Sequence, residues 1–269
     1  MLRRKFVWGW GVSSSDAFST EKYEALPRPE RWMPGPPAPW SNIIPDQRRL
    51  KTSELRTYIY KQNQKDFALN EIALGDLPEE AIEELGDNDM VSRPSAVLVP
   101  FILRTKPDEI DSVIVMTRTM TVSHHKGQVS FPGGMAEVYD EDIVHTALRE
   151  TEEEIGIARD CFEVIGTRAP VHTRSRKALI TPVIATCDAS IENHFSINSD
   201  EVETLHVIPV SALLARDAYM SEIWDFPTMS ATVHMYFVYD KNDLPVFIWG
   251  ATAHILTDLL HCLNSGTFH

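Results

Sequence analysis

The chain has few cysteines, no long apolar run and a shortage of positive charge. Its three cysteines among 269 residues are far apart, odd in number and without the spacing of metal ligands. They therefore indicate neither a disulfide framework nor a cysteine-based zinc site. No apolar stretch approaches the roughly 20 residues that a membrane-spanning helix needs. These absences favour an intracellular globular protein with reduced thiols.

Acidic residues outnumber basic ones by 39 to 25, which gives a formal net charge of −14. Such a charge argues against nucleic-acid and membrane partners. An enzyme of anionic substrates would need metal ions or clustered basic residues to offset it locally. Two basic clusters are present, His124 to Lys126 and Arg168 to Lys177. The sequence does not indicate an oligomeric state.

Proline is concentrated near the N-terminus, where seven of the seventeen prolines lie between residues 24 and 45. Because proline fixes φ and lacks a backbone N–H, neither helix nor sheet is expected in this segment. We expect an extended arm or linker, and expect residues 1–45 to be dispensable for catalysis. Residues 46–88 read as polar helical segments, which either pack as a cap or lie loosely on the domain.

The two ends of the chain carry little targeting information. The basic start, with Arg3, Arg4 and Lys5, is compatible with a short mitochondrial targeting segment; a cytoplasmic location is the alternative. The C-terminal residues do not form a peroxisomal signal.

From residue 95 onward, short apolar strands alternate with turn residues. Strands are predicted at 96–103, 112–116, 162–166, 179–186, 204–208, 231–239 and 245–249, and helices at 211–216 and 253–263. Strands and helices mixed without strict alternation predict an α+β layered domain.

The run from Gly134 to Ile157 is the most informative part of the chain. Four of the five residues from Glu150 to Glu154 are carboxylates, on a segment with the pattern of an amphipathic helix. At about 100° per residue, one stripe can face a core. That stripe is formed by Val144, Leu148, Thr151 and Ile155.

The carboxylates on this helix predict a metal site. Glu150 and Glu154 lie one turn apart on an adjacent face, with Glu153 about 60° further round. Like charges at this spacing cost a few tenths of a kcal/mol per pair, and a bound cation removes that cost. Oxygen ligands without nearby histidine or cysteine favour a hard ion, Mg²⁺ or Mn²⁺.

The same run resembles the Nudix hydrolase box. The residues that fall on its pattern are Arg149, Glu150, Glu153, Glu154, Gly156 and Ile157. Thr151 stands where a larger apolar residue is usual. The acidic place before the helix is taken either by Glu141, one residue too far from Gly134, or by Asp140, one residue too far from Arg149. Either register leaves the loop one residue longer, a length associated with the coenzyme A pyrophosphatase branch.

A second pattern, upstream of the box, is similar to that branch. Arg118, Gly127 and the Phe-Pro-Gly-Gly run ending at Gly134 match. Met116 and Thr119 are departures, and Ser123 replaces a second arginine. Further matches lie at 173–175, 181–183 and 248–253. The resemblance covers about residues 93–265, which suggests a Nudix domain at 91–265 preceded by an N-terminal extension at 1–90.

The resemblance implies an α/β/α sandwich with a mixed sheet and a Mg²⁺- or Mn²⁺-dependent pyrophosphatase. Its catalytic and metal-binding residues would be Glu150, Glu153 and Glu154, with Arg149 holding Glu153. Its substrate-binding residues would be Arg118, Lys126, Gly133, Gly134 and Arg174. Glu201 is either a remote base or metal contact, or a surface acid.

For substrate, the resemblance implies coenzyme A or a derivative, split into a 4′-phosphopantetheine and adenosine 3′,5′-bisphosphate. Another nucleoside diphosphate derivative is the alternative, since Ser123 lacks the expected positive charge. A binding module without turnover is a third reading, against which the complete set of glutamates argues.

Overall fold

The computed structural model describes residues 23–43, 48–75, 93–103, 108–119, 127–172, 178–227 and 230–265. Several sequence predictions lie outside these residues. They concern the basic N-terminal segment, the end of the helical stretch predicted at 46–88, Ser123, the His124–Lys126 cluster and Arg174.

The described strands and helices follow one another without strict alternation. The strands are β1 (Arg31–Pro34), β2 (Arg93–Leu103), β3 (Ile110–Arg118), β4 (Val129–Ser130), β5 (Gly133–Met135), β6 (Glu163–Thr167), β7 (Val171–His172), β8 (Ala178–Asp188), β9 (Val202–Pro209), β10 (Tyr219–Asp225), β11 (Ser230–Tyr239) and β12 (Pro245–Trp249). The helices are α1 (Thr52–Gly75), α2 (Ile143–Ile155), α3 (Val210–Leu213), α4 (Gly250–Leu260) and α5 (Cys262–Ser265).

The larger sheet is mixed, which confirms the α+β prediction. Its central order is β4-β3-β2-β8-β6, while β5 pairs with β2, β7 with β8 and β9 with β3. β2 and β8 run parallel along their whole length, and the other pairs are antiparallel. Among the described residues, no helix is both long and apolar enough to cross a bilayer.

Alternating side chains along β2 build one core on each face of this sheet. Leu98 and Ile102 face the core beneath α2, whereas Val99 and Phe101 face the core shared with α1, α4 and α5. This period of two is what a strand buried on both faces requires. Helices therefore cover both faces, as the predicted α/β/α sandwich demands.

A second, antiparallel sheet has the order β1-β10-β11-β12. One face of β11 joins the core of α1 and α4 through Tyr236 and Val238, and Phe237 lies in a smaller core on the other face. Leu26 of the N-terminal segment is buried in that smaller core. The N-terminal segment thus covers the outer face of the second sheet.

The expectation that the proline-rich segment contains no sheet was wrong for residues 31–34. β1 pairs with β10, with Pro34 opposite Glu222 at its end. Among the described residues β1 is the edge of its sheet. Proline has no backbone N–H to donate, but none is needed on the open side of an edge strand, where no neighbouring strand is present to accept it.

A buried carboxylate fastens this segment to β10. The side chain of Glu222 is 1% exposed, and Arg28 Nε donates to it at 2.9 Å. Tyr23 Oη and Trp224 Nε1 each donate to the same carboxylate at 2.6 Å. Burial and the neighbouring carboxylate raise the pKa of Tyr23 to about 12. The carboxylate is balanced by one guanidinium and two neutral donors, as a buried charge must be.

α1 packs on the domain and does not lie loosely. Leu55, Tyr58 and Ile59 are buried in the same core as Trp40, which is 1% exposed. The Ser53 backbone N–H and hydroxyl donate to Asp108 at 2.8 and 2.7 Å, which supplies an acceptor for the start of the helix. The described residues before position 90 therefore share the core of those after it, and the division at 90 stays a prediction.

These contacts argue against the expectation that residues 1–45 are dispensable for catalysis. A chain that begins at Leu50 loses Leu26, Arg28 and Trp40, and truncation of a buried tryptophan alone costs about 3–5 kcal/mol. We expect it to aggregate or to melt far below the full-length chain in thermal and urea denaturation. A chain that begins at Tyr23 retains every described contact and is the matched control. Equal melting midpoints for the two truncated chains would contradict this assignment.

Candidate active site

α2 carries the acidic run and is closed at both ends by local contacts. Asp142 Oδ1 accepts from the N–H of His145 at 2.8 Å at the N-terminus, the usual role of an aspartate N-cap. At the C-terminus Gly156 has a φ of 71° and donates to the carbonyl of Glu152. A left-handed glycine ends the helix there without a Cβ penalty.

The predicted core stripe of α2 is largely confirmed. Thr151 and Ile155 are buried, and Val144 and Leu148 are partly buried against the same core. The hydroxyl of Thr151, where a larger apolar side chain was expected, donates to the carbonyl of Ala147 at 2.7 Å. The hydroxyl is thus satisfied inside the helix, and the residue is tolerated in the core.

Arg149 is a buried hub that connects the helix to the preceding loop. Its Nε and Nη2 donate to the two carboxylate oxygens of Asp140 at 2.9 and 3.0 Å. Its Nη1 donates to Glu150 at 2.9 Å and to Glu153 at 3.2 Å. The second of these contacts is the i to i+4 pair predicted from the sequence. One guanidinium therefore holds three carboxylates, that of Asp140 in the loop and those of Glu150 and Glu153 on the helix.

The acidic residue that precedes the helix is Asp140. Its side chain is 2% exposed, and it also accepts from Thr146 Oγ1 at 2.8 Å. The Arg149 guanidinium holds the pKa of Asp140 well below its ordinary value. Glu141 is exposed to solvent. The structure therefore settles the register in favour of Asp140, and the extra residue lies between it and Arg149.

Glu154 is the most deeply buried carboxylate of the run, with a side chain that is 2% exposed. The N–H of Gly133 donates to its Oε2 at 2.8 Å, and Arg118 Nη1 donates to its Oε1 at 3.2 Å. Burial raises its pKa to about 8; the Gly133 N–H and Arg118 oppose that rise, and the nearby Glu150 and Glu201 add to it.

The turn at Gly133 and Gly134 leaves room for these carboxylates. A Cβ on Gly134 would lie 2.5 Å from Cδ of Glu150, and Gly133 has a φ of 150°. Burial raises the pKa of Glu150, and its contact with Arg149 opposes that rise. The backbone before the helix thus approaches the carboxylates as only glycine allows.

Glu153 and Glu152 are neighbours on α2 but make different contacts. Glu153 is 55% exposed and in contact with Arg149, so its carboxylate remains open to solvent beside the other two. Glu152 pairs instead with Arg159 at 2.7 Å. Glu152 therefore points away from the cluster, as the helical spacing predicts.

The structure also brings Glu201 to the cluster, where the sequence left its role open. The segment before Glu201 docks on the end of α2, where the N–H groups of Ser196 and Asn198 donate to the carbonyls of Ile155 and Glu154 at 2.9 Å. The charge of Glu201 raises the pKa of both Glu150 and Glu154. Its position follows from the docking of a loop, which sequence periodicity does not report.

The residues present fit a divalent cation. Within the described ranges no group of three or more His, Cys, Asp or Glu side chains is placed to hold a metal ion by itself. Mg²⁺ commonly takes only one or two carboxylates and completes its shell with water and substrate phosphates. Glu150 and Glu154 are desolvated and repel each other, so a hard cation next to them would favour their ionised forms.

Comparison with known proteins identifies the family. The NUDIX domain model matches residues 92–227, half of the chain. The chain belongs to the Nudix hydrolase family. Two relatives, both named as uncharacterized Nudix hydrolase NudL, are 34% identical to it. The one from Photorhabdus laumondii aligns over 66% of this chain and 87% of its own length, and the one from Yersinia pestis over 62% and 78%.

Among solved structures, a MutT/nudix family protein from Enterococcus faecalis aligns with 77% of this Nudix hydrolase and 72% of its own chain. The identity is 15% and the TM-score 0.39, at which the likeness supports no inference. Family membership makes the chain a pyrophosphatase that acts on nucleoside diphosphate derivatives.

Most of the predicted site residues come together in this Nudix hydrolase. Glu150, Glu153 and Glu154 meet around Arg149 and the glycine turn, and Arg118 reaches Glu154 from β3. Lys126 and Arg174 lie outside the described residues, so their substrate contacts stay predictions.

The register of the loop can be tested by paired substitutions. Asp140→Asn removes the charge opposite the buried Arg149, so we expect a clearly lower melting temperature and a large loss of activity. Glu141→Gln changes an exposed neighbour and should alter neither. Because the pKa of Asp140 is depressed, its stabilising contribution should be present above its unfolded pKa and should be lost as the pH falls through the folded value. Equal effects of the two substitutions on melting would refute the assignment.

Proposed function

We propose that this Nudix hydrolase cleaves the pyrophosphate bond of coenzyme A or a derivative, giving a 4′-phosphopantetheine and adenosine 3′,5′-bisphosphate. The proposal depends mainly on the convergence of Arg118 with Glu150 and Glu154 at the glycine turn. Arg118 belongs to the upstream pattern of the coenzyme A branch, and the two glutamates belong to the acidic helix, so the two sequence patterns meet in one place. In this proposal the binding partner of the protein is a small nucleotide substrate.

In this proposal Glu150 and Glu154 hold Mg²⁺ or Mn²⁺, with Glu153 as a further ligand or as the base. When bound, the ion supplies charge neutralisation for the phosphates and acidification of a water. Glu153 is solvent-exposed but oriented by Arg149, so its carboxylate can accept a proton from the attacking water. Glu201, whose charge acts on both Glu150 and Glu154, is a further carboxylate near the proposed ion site and a second candidate for that role.

Of the basic residues among the predicted substrate contacts, Arg118 lies in the part of the chain that the structure describes, and it contacts Glu154. Its guanidinium is partly exposed while Nη1 contacts Glu154. The remaining donors can bind a phosphate oxygen beside the carboxylate, which offsets the repulsion that a substrate anion meets at an acidic site. We therefore assign Arg118 to the pyrophosphate in preference to the 3′-phosphate.

The downstream match to the branch packs beside the upstream one. Thr252, in the 248–253 match, donates its hydroxyl to the carbonyl of Val129 at 3.1 Å. Val129 lies just before Phe131 and the glycine turn. The C-terminal helix is thereby fixed against the loop that shapes the site, which supports reading the two matches as parts of one site.

A second candidate substrate is another nucleoside diphosphate derivative, such as a dinucleotide or a nucleotide sugar. Ser123 favours it, because the arginine of the coenzyme A pattern is missing there. The same position offers a test, since Ser123→Arg should raise the affinity for coenzyme A if this position contacts that substrate.

The metal assignment is tested by glutamine substitutions along α2. Glu150→Gln and Glu154→Gln each remove a negative charge from the proposed ion site, so each should abolish most Mg²⁺-dependent turnover while circular dichroism stays native. Glu152→Gln is the matched control on the same helix and should be nearly silent. Activity of Glu154→Gln within a few-fold of the unmodified enzyme at saturating Mg²⁺ would exclude Glu154 as a ligand.

The substrate assignment is tested by comparing coenzyme A with dephospho-coenzyme A, which lacks only the 3′-phosphate. Loss of one charge-assisted hydrogen bond should lower kcat/KM roughly tenfold or more. Arg118→Ala should lower kcat/KM on both substrates, because Arg118 is assigned to the pyrophosphate that they share. Equal rates on the two substrates, or faster hydrolysis of a dinucleotide or nucleotide sugar, would overturn the coenzyme A proposal and leave the pyrophosphatase activity intact.

A further inference from the structure

An exposed aromatic ring lies at the edge of the carboxylate cluster. Tyr139 is 63% exposed and directly precedes Asp140, the partner of Arg149. Its ring centre lies 5.6 Å from Cζ of Arg149. An exposed tyrosine ring normally gains about 0.5–1 kcal/mol from such a contact with a cation. Most of the apolar surface of the Tyr139 ring nevertheless remains in water.

The ring is held by a short, ordered turn. The N–H of Glu137 donates to Asp140 Oδ2 at 2.9 Å, and the N–H of Asp140 donates to the carbonyl of Glu137 at 3.1 Å. Asp140 is itself clamped by Arg149. Tyr139 is therefore presented by a backbone segment that the carboxylate cluster already fixes, so a ligand stacking on it would order little additional chain.

The distance from this ring to the cluster suits a nucleotide. Arg149 contacts the ring on one side and donates to Glu150 Oε1 at 2.9 Å on the other. With the C–N bond of the guanidinium included, the ring centre lies within about 10 Å of that oxygen. A ribose and one phosphate span a comparable distance between a base and the next phosphate.

We propose that Tyr139 stacks on the nucleobase of the substrate while the pyrophosphate lies at the Glu150–Glu154 cluster. This inference depends on the proposed function only in requiring a nucleoside diphosphate group. A single flat ring face suits a planar base, since every base has a π-face, and such stacking is worth about 1–3 kcal/mol by alanine substitution. An acyl or pantetheine chain would need a groove, whereas the neighbouring Val138 is fully exposed.

The test compares binding of ADP and of inorganic pyrophosphate by calorimetry in the presence of Mg²⁺. ADP carries a base and a diphosphate, whereas pyrophosphate has no base. Tyr139→Ala should weaken ADP binding about fivefold or more and leave pyrophosphate binding unchanged. Tyr139→Trp should restore ADP binding, and Val138→Ala is the matched control on the same exposed loop. In turnover, Tyr139→Ala should raise KM and preserve kcat.

Each other outcome overturns the proposal. Equal weakening of ADP and pyrophosphate would mean that Tyr139 acts only by supporting Arg149. Unchanged ADP binding in Tyr139→Ala, or no ADP binding by the unmodified enzyme, would show that the nucleobase does not stack on Tyr139. Because neither ligand contains pantetheine, these results are independent of whether coenzyme A is the substrate.

Discussion

The site depends on the pairing of Arg149 with Asp140. A guanidinium buried on the inner side of α2 would be strongly unfavourable without an opposing charge, and Asp140 supplies that charge through two hydrogen bonds, of 2.9 and 3.0 Å. The same guanidinium then orients Glu150 and Glu153. One buried ion pair thus links the conformation of the loop to the position of two carboxylates, so their geometry is set before any ion or substrate arrives.

Carboxylates gathered in this way oppose their own ionisation. Glu154 is almost fully buried and lies near the charges of Glu150 and Glu201, and its raised pKa reports that cost. The Gly133 N–H and Arg118 offset only part of it. A divalent cation bound beside these carboxylates would offset their repulsion and would also attract an anionic phosphate, which is how an acidic protein could bind an anionic substrate.

The sequence predicted the parts of the fold that follow from local pattern. The strands β2, β3, β8 and β11 were predicted from short apolar runs bounded by turn residues, because a buried strand needs apolar side chains. The helix α4 was predicted because its apolar residues follow the helical spacing that burial of one face requires. β10 was missed because the inward position of Glu222 carries a charge, which reads as exposed unless Arg28, 194 residues away, is known to pair with it. β1 was missed because proline is excluded only from central strands.

In the site, spacing along α2 was sufficient to place the three glutamates and to separate Glu152 from them. The sequence did not decide whether Asp140 or Glu141 is the acidic residue that pairs with Arg149. The answer depends on the conformation of the turn before the helix, and a turn has no repeating pattern of side chains from which it could be predicted. The approach of Glu201 depends likewise on a loop docking onto the end of the helix.

The contact between Arg28 and Glu222 also has a consequence for biosynthesis. At about 5–20 residues per second, a ribosome needs roughly 10–40 s to make the chain between these two residues. Throughout that time Leu26 and Trp40 have no β10 or β11 against which to pack. The first described segment to leave the ribosome is therefore among the last to dock, and its apolar side chains stay without their packing partners until β10 and β11 have been made.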